Sequence, residues 1–230
     1  MKLFVVLGLG QFGRSLATTL HAGGGDVLAI DRDERRVDDV KDSVGQAVCM
    51  DGTDIHALRA VQAPKAQTAV VALGEEDLEA SILACVALSE LGVGNIIVRA
   101  ANELQGRILS RVGATKVIYP EKQMGEHVAR NVLNAGVEDQ FILSTGQTVA
   151  EIRPRHDVVG KRLKDLDLRA RYRVNVVSVK RMRARVDDRG EAIREPFLVE
   201  FPGADDIIEH DDVLIVVGNQ AQIERLARKD

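Results

Sequence analysis

Residues 8–13 read Gly8-Leu9-Gly10-Gln11-Phe12-Gly13, and that hexapeptide constrains the chain more than anything else in it. It follows an apolar run at 2–7 with the β-branched pair Val5-Val6, and it opens a segment with Leu16 and Leu20 on one helical face. In a strand–loop–helix setting each glycine has a task. Gly8 permits the tight turn, Gly10 lets backbone approach a pyrophosphate, and Gly13 lets the helix pack close to the strand. The helix then points its first N–H groups at an anion. Eighteen residues past Gly13, Asp31 ends a second apolar run at 27–30, with Arg32 next to it. A carboxylate there accepts ribose hydroxyls and disfavours a 2′-phosphate; a plain helix cap is the other reading.

The alternation continues to about residue 136. Helical patterns at 33–43, 54–60, 75–91, 104–112 and 121–135 separate apolar runs at 47–50, 69–73, 96–98 and 116–119. Strands of about five residues without polar alternation are buried on both faces, as in a parallel sheet. The expected architecture is α/β, a doubly wound parallel Rossmann sheet over 1–136. A small α+β unit over 139–230 follows. Its strands are expected around 141–143, 149–152, 174–180, 197–201 and 213–217, with helices near 160–166 and 220–228.

Other residues fall where such a sheet binds ligands, at the carboxyl ends of its strands. Asp51-Gly52-Thr53 closes the third strand, either beside an adenine or as an ordinary turn with a helix cap. Arg99 ends the fifth strand, and Glu121 follows the sixth after Pro120; each reads as a ligand contact or a surface charge. On the helix from Glu121, Met124, Val128 and Val132 make an apolar stripe, to be buried on another subunit or on its own sheet. Residues 151–195 hold 14 Lys and Arg against 8 Asp and Glu, which leaves −10 for the rest of the chain. That basic zone is a small-anion site or a solvated face.

Composition narrows the function. A net charge of −4 and 3% aromatics exclude a basic footprint or stacking platform for nucleic acid. Cys49 and Cys85, both in apolar surroundings, read as buried thiols of a reducing compartment. No apolar run approaches the roughly 18–20 residues that cross a bilayer, and Met1-Lys2-Leu3 leads straight into a strand without room for a signal peptide. A cytoplasmic protein is expected. The five histidines lack metal-ligand spacing, and no nucleophile elbow or Cys-x-x-Cys pair is present. The residues thus give a nucleotide- or dinucleotide-binding protein that is not an enzyme, with an NAD-dependent oxidoreductase as the alternative.

The ordered set of motifs resembles the RCK (KTN) regulatory subunits of bacterial potassium uptake systems, the KtrA/TrkA family, over nearly the whole chain. It comprises the glycine loop, Val27–Asp31, Val70-Val71-Ala72-Leu73-Gly74, Arg99-Ala100, Ile108–Ala114 and Tyr119-Pro120-Glu121. In the second half it continues through Val159–Leu163, Leu166–Arg169 and Asn175-Val176-Val177. The resemblance implies a cytoplasmic protein at the inner face of the membrane that binds ATP/ADP or NAD(H) in its N-terminal domain. Leu73 and Gly74 join the glycine loop, Arg32, Asp31 and Asp51–Thr53 in that site. It implies dimers that build an octameric ring beneath an integral-membrane potassium-translocating subunit of TrkH or KtrB type. Arg99 matches a basic position near the phosphates. Glu121 matches an acid that reaches the terminal phosphates, or a divalent or sodium ion held with them, across a subunit interface. Gln11 departs from the Arg that many KtrA sequences place there, removing one route to discriminate ATP from ADP. Arg169 and Asn175 match positions that in some members line a cyclic di-AMP site between paired C-terminal domains; the alternative is that Arg169 caps carbonyls and pairs with Asp165 or Asp167 in its own turn.

Overall fold

The computed structural model describes residues 2–74, 76–134, 136–186 and 191–227. The helix limits expected at Glu75, Ala135 and Arg228 lie outside them. The chain divides into two compact units, Met1–Gln123 and Met124–Asp230.

The first unit alternates strand and helix: β1 (Leu3–Leu7), α1 (Gln11–Ala22), β2 (Asp26–Asp31), α2 (Glu34–Asp38), β3 (Gln46–Cys49), α3 (Ile55–Ala60), β4 (Thr68–Val71), α4 (Leu78–Glu90), β5 (Ile96–Arg99), α5 (Glu103–Arg111) and β6 (Lys116–Ile118). Every strand pairing is parallel, in the order β3-β2-β1-β4-β5-β6. That is the doubly wound order, with its reversal between β1 and β4. Alternate residues feed opposite faces of the sheet. Val5, Leu7, Leu28 and Ile30 join a core with Leu58, Leu88 and Leu109, while Val6, Val27 and Ala29 join Ala17, Val37 and Val40. The single helix expected over 33–43 stops at Asp38, and a 3-10 turn follows at Lys41–Ser43. Val40 and Val44 between and after them are turned into the core.

One thiol expectation is corrected. Cys85 is buried on α4, and burial pushes its thiol up to about 11. Cys49 is exposed, because it ends β3, an edge strand paired only with β2.

Helix α6 (Pro120–Leu133) contains the division between the units. The second unit is a five-stranded antiparallel sheet in the order β10-β9-β11-β8-β7. Its elements are β7 (Val137–Ile142), β8 (Thr148–Ile152), α7 (Leu163–Leu166), α8 (Leu168–Tyr172), β9 (Asn175–Val186), β10 (Ala192–Val199), β11 (Val213–Gly218) and α9 (Gln220–Ala227). Ile152, Val174, Leu214, Val216 and Ile223 form its core. Three strands outgrow expectation: β7 starts four residues earlier, at Val137, β10 starts five earlier, at Ala192, and β9 extends beyond 180. β9 runs six residues past Lys180, where its pairing with β11 ends, and continues with β10 alone as a two-stranded ribbon. The motif at Leu166–Arg169 is not one turn: Asp167, at φ 44°, joins α7 to α8.

Candidate functional site

The carboxyl ends of β1, β2, β4 and β5 surround a cavity of about 370 Å³ in the first unit. Ten of the sequence-predicted residues line it: Gly8, Gly10, Asp31, Arg32, Asp51, Gly52, Thr53, Leu73, Gly74 and Arg99. The glycine loop behaves as its chemistry requires. Gly8 has φ +93°, and a Cβ there would lie 2.9 Å from the Ala72 carbonyl oxygen. On Gly13 a Cβ would lie 1.8 Å from the Gly8 carbonyl oxygen, so Gly13 is a packing glycine buried behind the loop. Only Gly10 of the three faces open space, with nothing within 4 Å of a Cβ. Gly10 also caps α1. Asp33, Asp54 and Asn102 cap α2, α3 and α5 with side-chain oxygens, whereas α1 has no side-chain cap and no acid in its first turn. Its leading N–H groups therefore suit an anion supplied from the cavity.

Asp31 is buried at the end of β2, and its carboxylate organises the loops around it. Oδ2 accepts from the Leu9 amide at 2.6 Å and Oδ1 from the Asp33 amide at 2.9 Å. Arg36 Nη1 approaches Oδ2 at 3.5 Å. Asp51 Oδ1 accepts from both the amide (2.9 Å) and the hydroxyl (2.8 Å) of Thr53. Those bonds, with the Arg32 charge nearby, hold the Asp51 carboxyl below the usual carboxylate range.

Four predicted residues lie off the cavity wall. Gly13 sits behind the loop, Phe12 packs into the core beneath α1, and Gln11 is an exposed residue at the start of α1. Glu121 is joined to the wall through Arg99, whose Nη2 lies 2.7 Å from Glu121 Oε1. Sequence reasoning missed Asp33, Arg36 and Asp77, which also line the cavity. Asp33 was legible as a helix cap before Glu34; Arg36 and Asp77 reach the cavity only through tertiary placement.

In the second unit Arg169 and Asn175 are both exposed, on α8 and at the start of β9. Asp165 is bound by Arg162 at 2.8 Å. Much of the basic zone meets acids: Arg181 pairs with Asp212 and Glu209, Lys164 with Asp205, and Arg194 with Asp211. Those acids all come from the acidic stretch 200–212. Among the described residues no group of three or more His, Cys, Asp and Glu side chains gathers as a metal site. No described helix is long and apolar enough to cross a membrane.

Residues 4–120 match the TrkA-N domain family and residues 148–229 the TrkA-C domain family. The chain is 35% identical over 228 residues to the Ktr system potassium uptake protein C of Bacillus subtilis, covering 99% of this chain and 97% of that one. It is 32% identical over 228 residues to the Ktr system potassium uptake protein A of Vibrio alginolyticus, covering 99% and 96%. Its fold is similar to that of the GsuK channel bound to NAD, with TM-score 0.63 at 16% identity. That likeness covers 99% of this chain, which spans 40% of the channel chain.

Proposed function

The chain belongs to the TrkA family of potassium uptake proteins, with a TrkA-N domain followed by a TrkA-C domain, and from that membership we propose that it is the nucleotide-binding regulatory subunit of a potassium transporter. The observation that carries the reading is the convergence of the glycine loop and Asp31 on one cavity at the carboxyl edge of the sheet. Asp31 accepts the hydroxyls of an adenosine ribose while continuing to hold the Leu9 and Asp33 amides. Asp51, Gly52 and Thr53 flank the base. Gly8, Gly10 and the first turn of α1 receive the pyrophosphate, with Arg99 at its far end. The ligand is ATP/ADP or NAD(H); structural neighbours of this fold carry NAD and ADP.

The protein works as a homo-oligomer, dimers building an octameric ring, on the cytoplasmic face of an integral-membrane subunit of TrkH or KtrB type. Exchange of nucleotide alters the ring, and the ring opens or closes the ion path. The relatives matched along nearly their whole length are potassium uptake proteins, which supports a regulator over the oxidoreductase alternative. A second anion site on Arg169 and Asn175, for cyclic di-AMP, belongs to the same proposal. Calorimetry of the purified chain with ADP, ATP, NAD⁺ and NADH tests the primary site. Saturable binding without NADH turnover is the expected result; no binding of any of the four contradicts it.

A further inference from the structure

A ribose on Asp31 and a pyrophosphate on the glycine loop leave the base on the other side of the ribose, among Arg32, Asp51–Thr53 and Asp77. A base presents two flat faces, and the protein groups that stack on them are aromatic rings and guanidinium planes. None of the described residues lining the cavity is aromatic, and three are arginines. Two of those arginines are placed elsewhere. Arg99 stands at the end of β5, and Arg36 is turned to Asp31 at 3.5 Å and Asp33 at 3.8 Å.

Arg32 is the remaining plane. Its carbonyl accepts from Cys49 Sγ at 3.6 Å, which ties its backbone to the end of β3. Its side chain reaches the other way, with Nη2 3.7 Å from Asp77 Oδ1. In the order β3-β2-β1-β4, Arg32 follows β2 and Asp77 follows β4, so the pair crosses the carboxyl end of β1. Asp77 is anchored at the head of α4: its amide donates to the Gly74 carbonyl at 3.1 Å, and its carbonyl accepts from the Ser81 amide at 2.9 Å. On the opposite flank stands Asp51, its carboxyl held below the usual range by its bonds from Thr53, with the Arg32 charge adding to them. The Arg32 side chain is 75% exposed, so protein packing does not cover its plane.

We propose that Arg32 is the base-stacking residue of the cavity and that Asp77 is the positioning residue that holds its guanidinium over the base. The inference rests on the nucleotide reading of the cavity. Stacking acts on the base, which every adenine ligand shares, so its contribution does not depend on the number of phosphates. An arginine that only attracted phosphate would contribute more to ATP than to NAD⁺, whose net charge is smaller.

The test is calorimetry of the full chain with NAD⁺, ADP and ATP for wild type, Arg32→Ala, Arg32→Tyr, Asp77→Asn and the double variant Arg32→Ala/Asp77→Asn. Arg32→Ala is expected to weaken every ligand that the wild type binds by the same factor, roughly five- to thirtyfold. Arg32→Tyr supplies a flat ring without charge and stays within about threefold of wild type. Asp77→Asn weakens binding by a smaller factor and has no further effect in the Arg32→Ala background. Wild-type affinity in Arg32→Ala overturns the proposal, as does a loss that grows from NAD⁺ to ATP or a failure of Arg32→Tyr to keep the affinity. An Asp77→Asn effect that persists without Arg32 overturns the positioning role. Failure of the wild type to bind any of the three ligands overturns the nucleotide reading itself, a result distinct from normal wild-type binding that is indifferent to Arg32.

Discussion

Asp31 holds two backbone amides, those of Leu9 and Asp33, before it meets any ribose. Its substitution therefore loses a charge-assisted acceptor and loosens the loops on either side. Asp31→Ala is expected to cost about 1–3 kcal/mol of adenine-nucleotide affinity; a dissociation constant equal to wild type for every adenine nucleotide would remove Asp31 from the site. The glycines divide by what a Cβ would meet. Gly13→Ala strikes the Gly8 carbonyl oxygen and is expected to destabilise the first unit by about 1–3 kcal/mol. Gly10→Ala meets nothing within 4 Å, so the protein keeps its unfolding midpoint. That methyl projects where the backbone approaches the pyrophosphate, and nucleotide affinity falls by roughly tenfold. Unfolding curves and calorimetry of the two variants separate a packing glycine from a ligand glycine; identical behaviour would undo the division.

Among the elements, α6 and the pair α8–β9 carry the open questions. Met124, Val128 and Val132 on α6 are 60%, 51% and 77% exposed, so the stripe is not buried on the chain's own sheets. Apolar residues aligned on one helix face call for a covering partner. Val128→Glu is expected to shift light scattering from an even-numbered assembly to smaller species without lowering the unfolding midpoint; an unchanged assembly would show that the stripe is not its interface. On α8, Arg169 offers a bidentate fork and Asn175 a donor and an acceptor. Cyclic di-AMP binding that weakens with salt and vanishes in Arg169→Ala is the expected result, and no binding by the assembled wild type leaves Arg169 structural. The sequence made some of these elements plain and hid others. Buried parallel strands such as Thr68–Val71 lie in short, largely apolar runs, and their regular alternation with helical patterns marks them. Past Met182 the β9 strand is exposed; its Arg181–Val186 stretch alternates arginine with apolar residues and reads as a solvated face. The glycine loop and Asp31 were legible because their chemistry is local to the chain. The Arg99–Glu121 pair was not, because 22 residues separate its members and only the β5–β6 register brings them together.

At the scale of the molecule, the family match covers both domains and the Ktr relatives are matched along nearly their full length. The first unit holds the proposed nucleotide cavity, the second carries the proposed anion site on Arg169 and Asn175, and the ion path belongs to the proposed membrane partner. We propose that the nucleotide in the cavity sets the activity of that partner. The most direct measurement is potassium flux through proteoliposomes containing a TrkH- or KtrB-type subunit, with this chain added together with ADP, ATP, NAD⁺ or NADH. Flux is expected to depend on the chain and to change when one nucleotide replaces another, with Asp31→Ala blunting the response. Flux that is the same with every nucleotide and without any would contradict it.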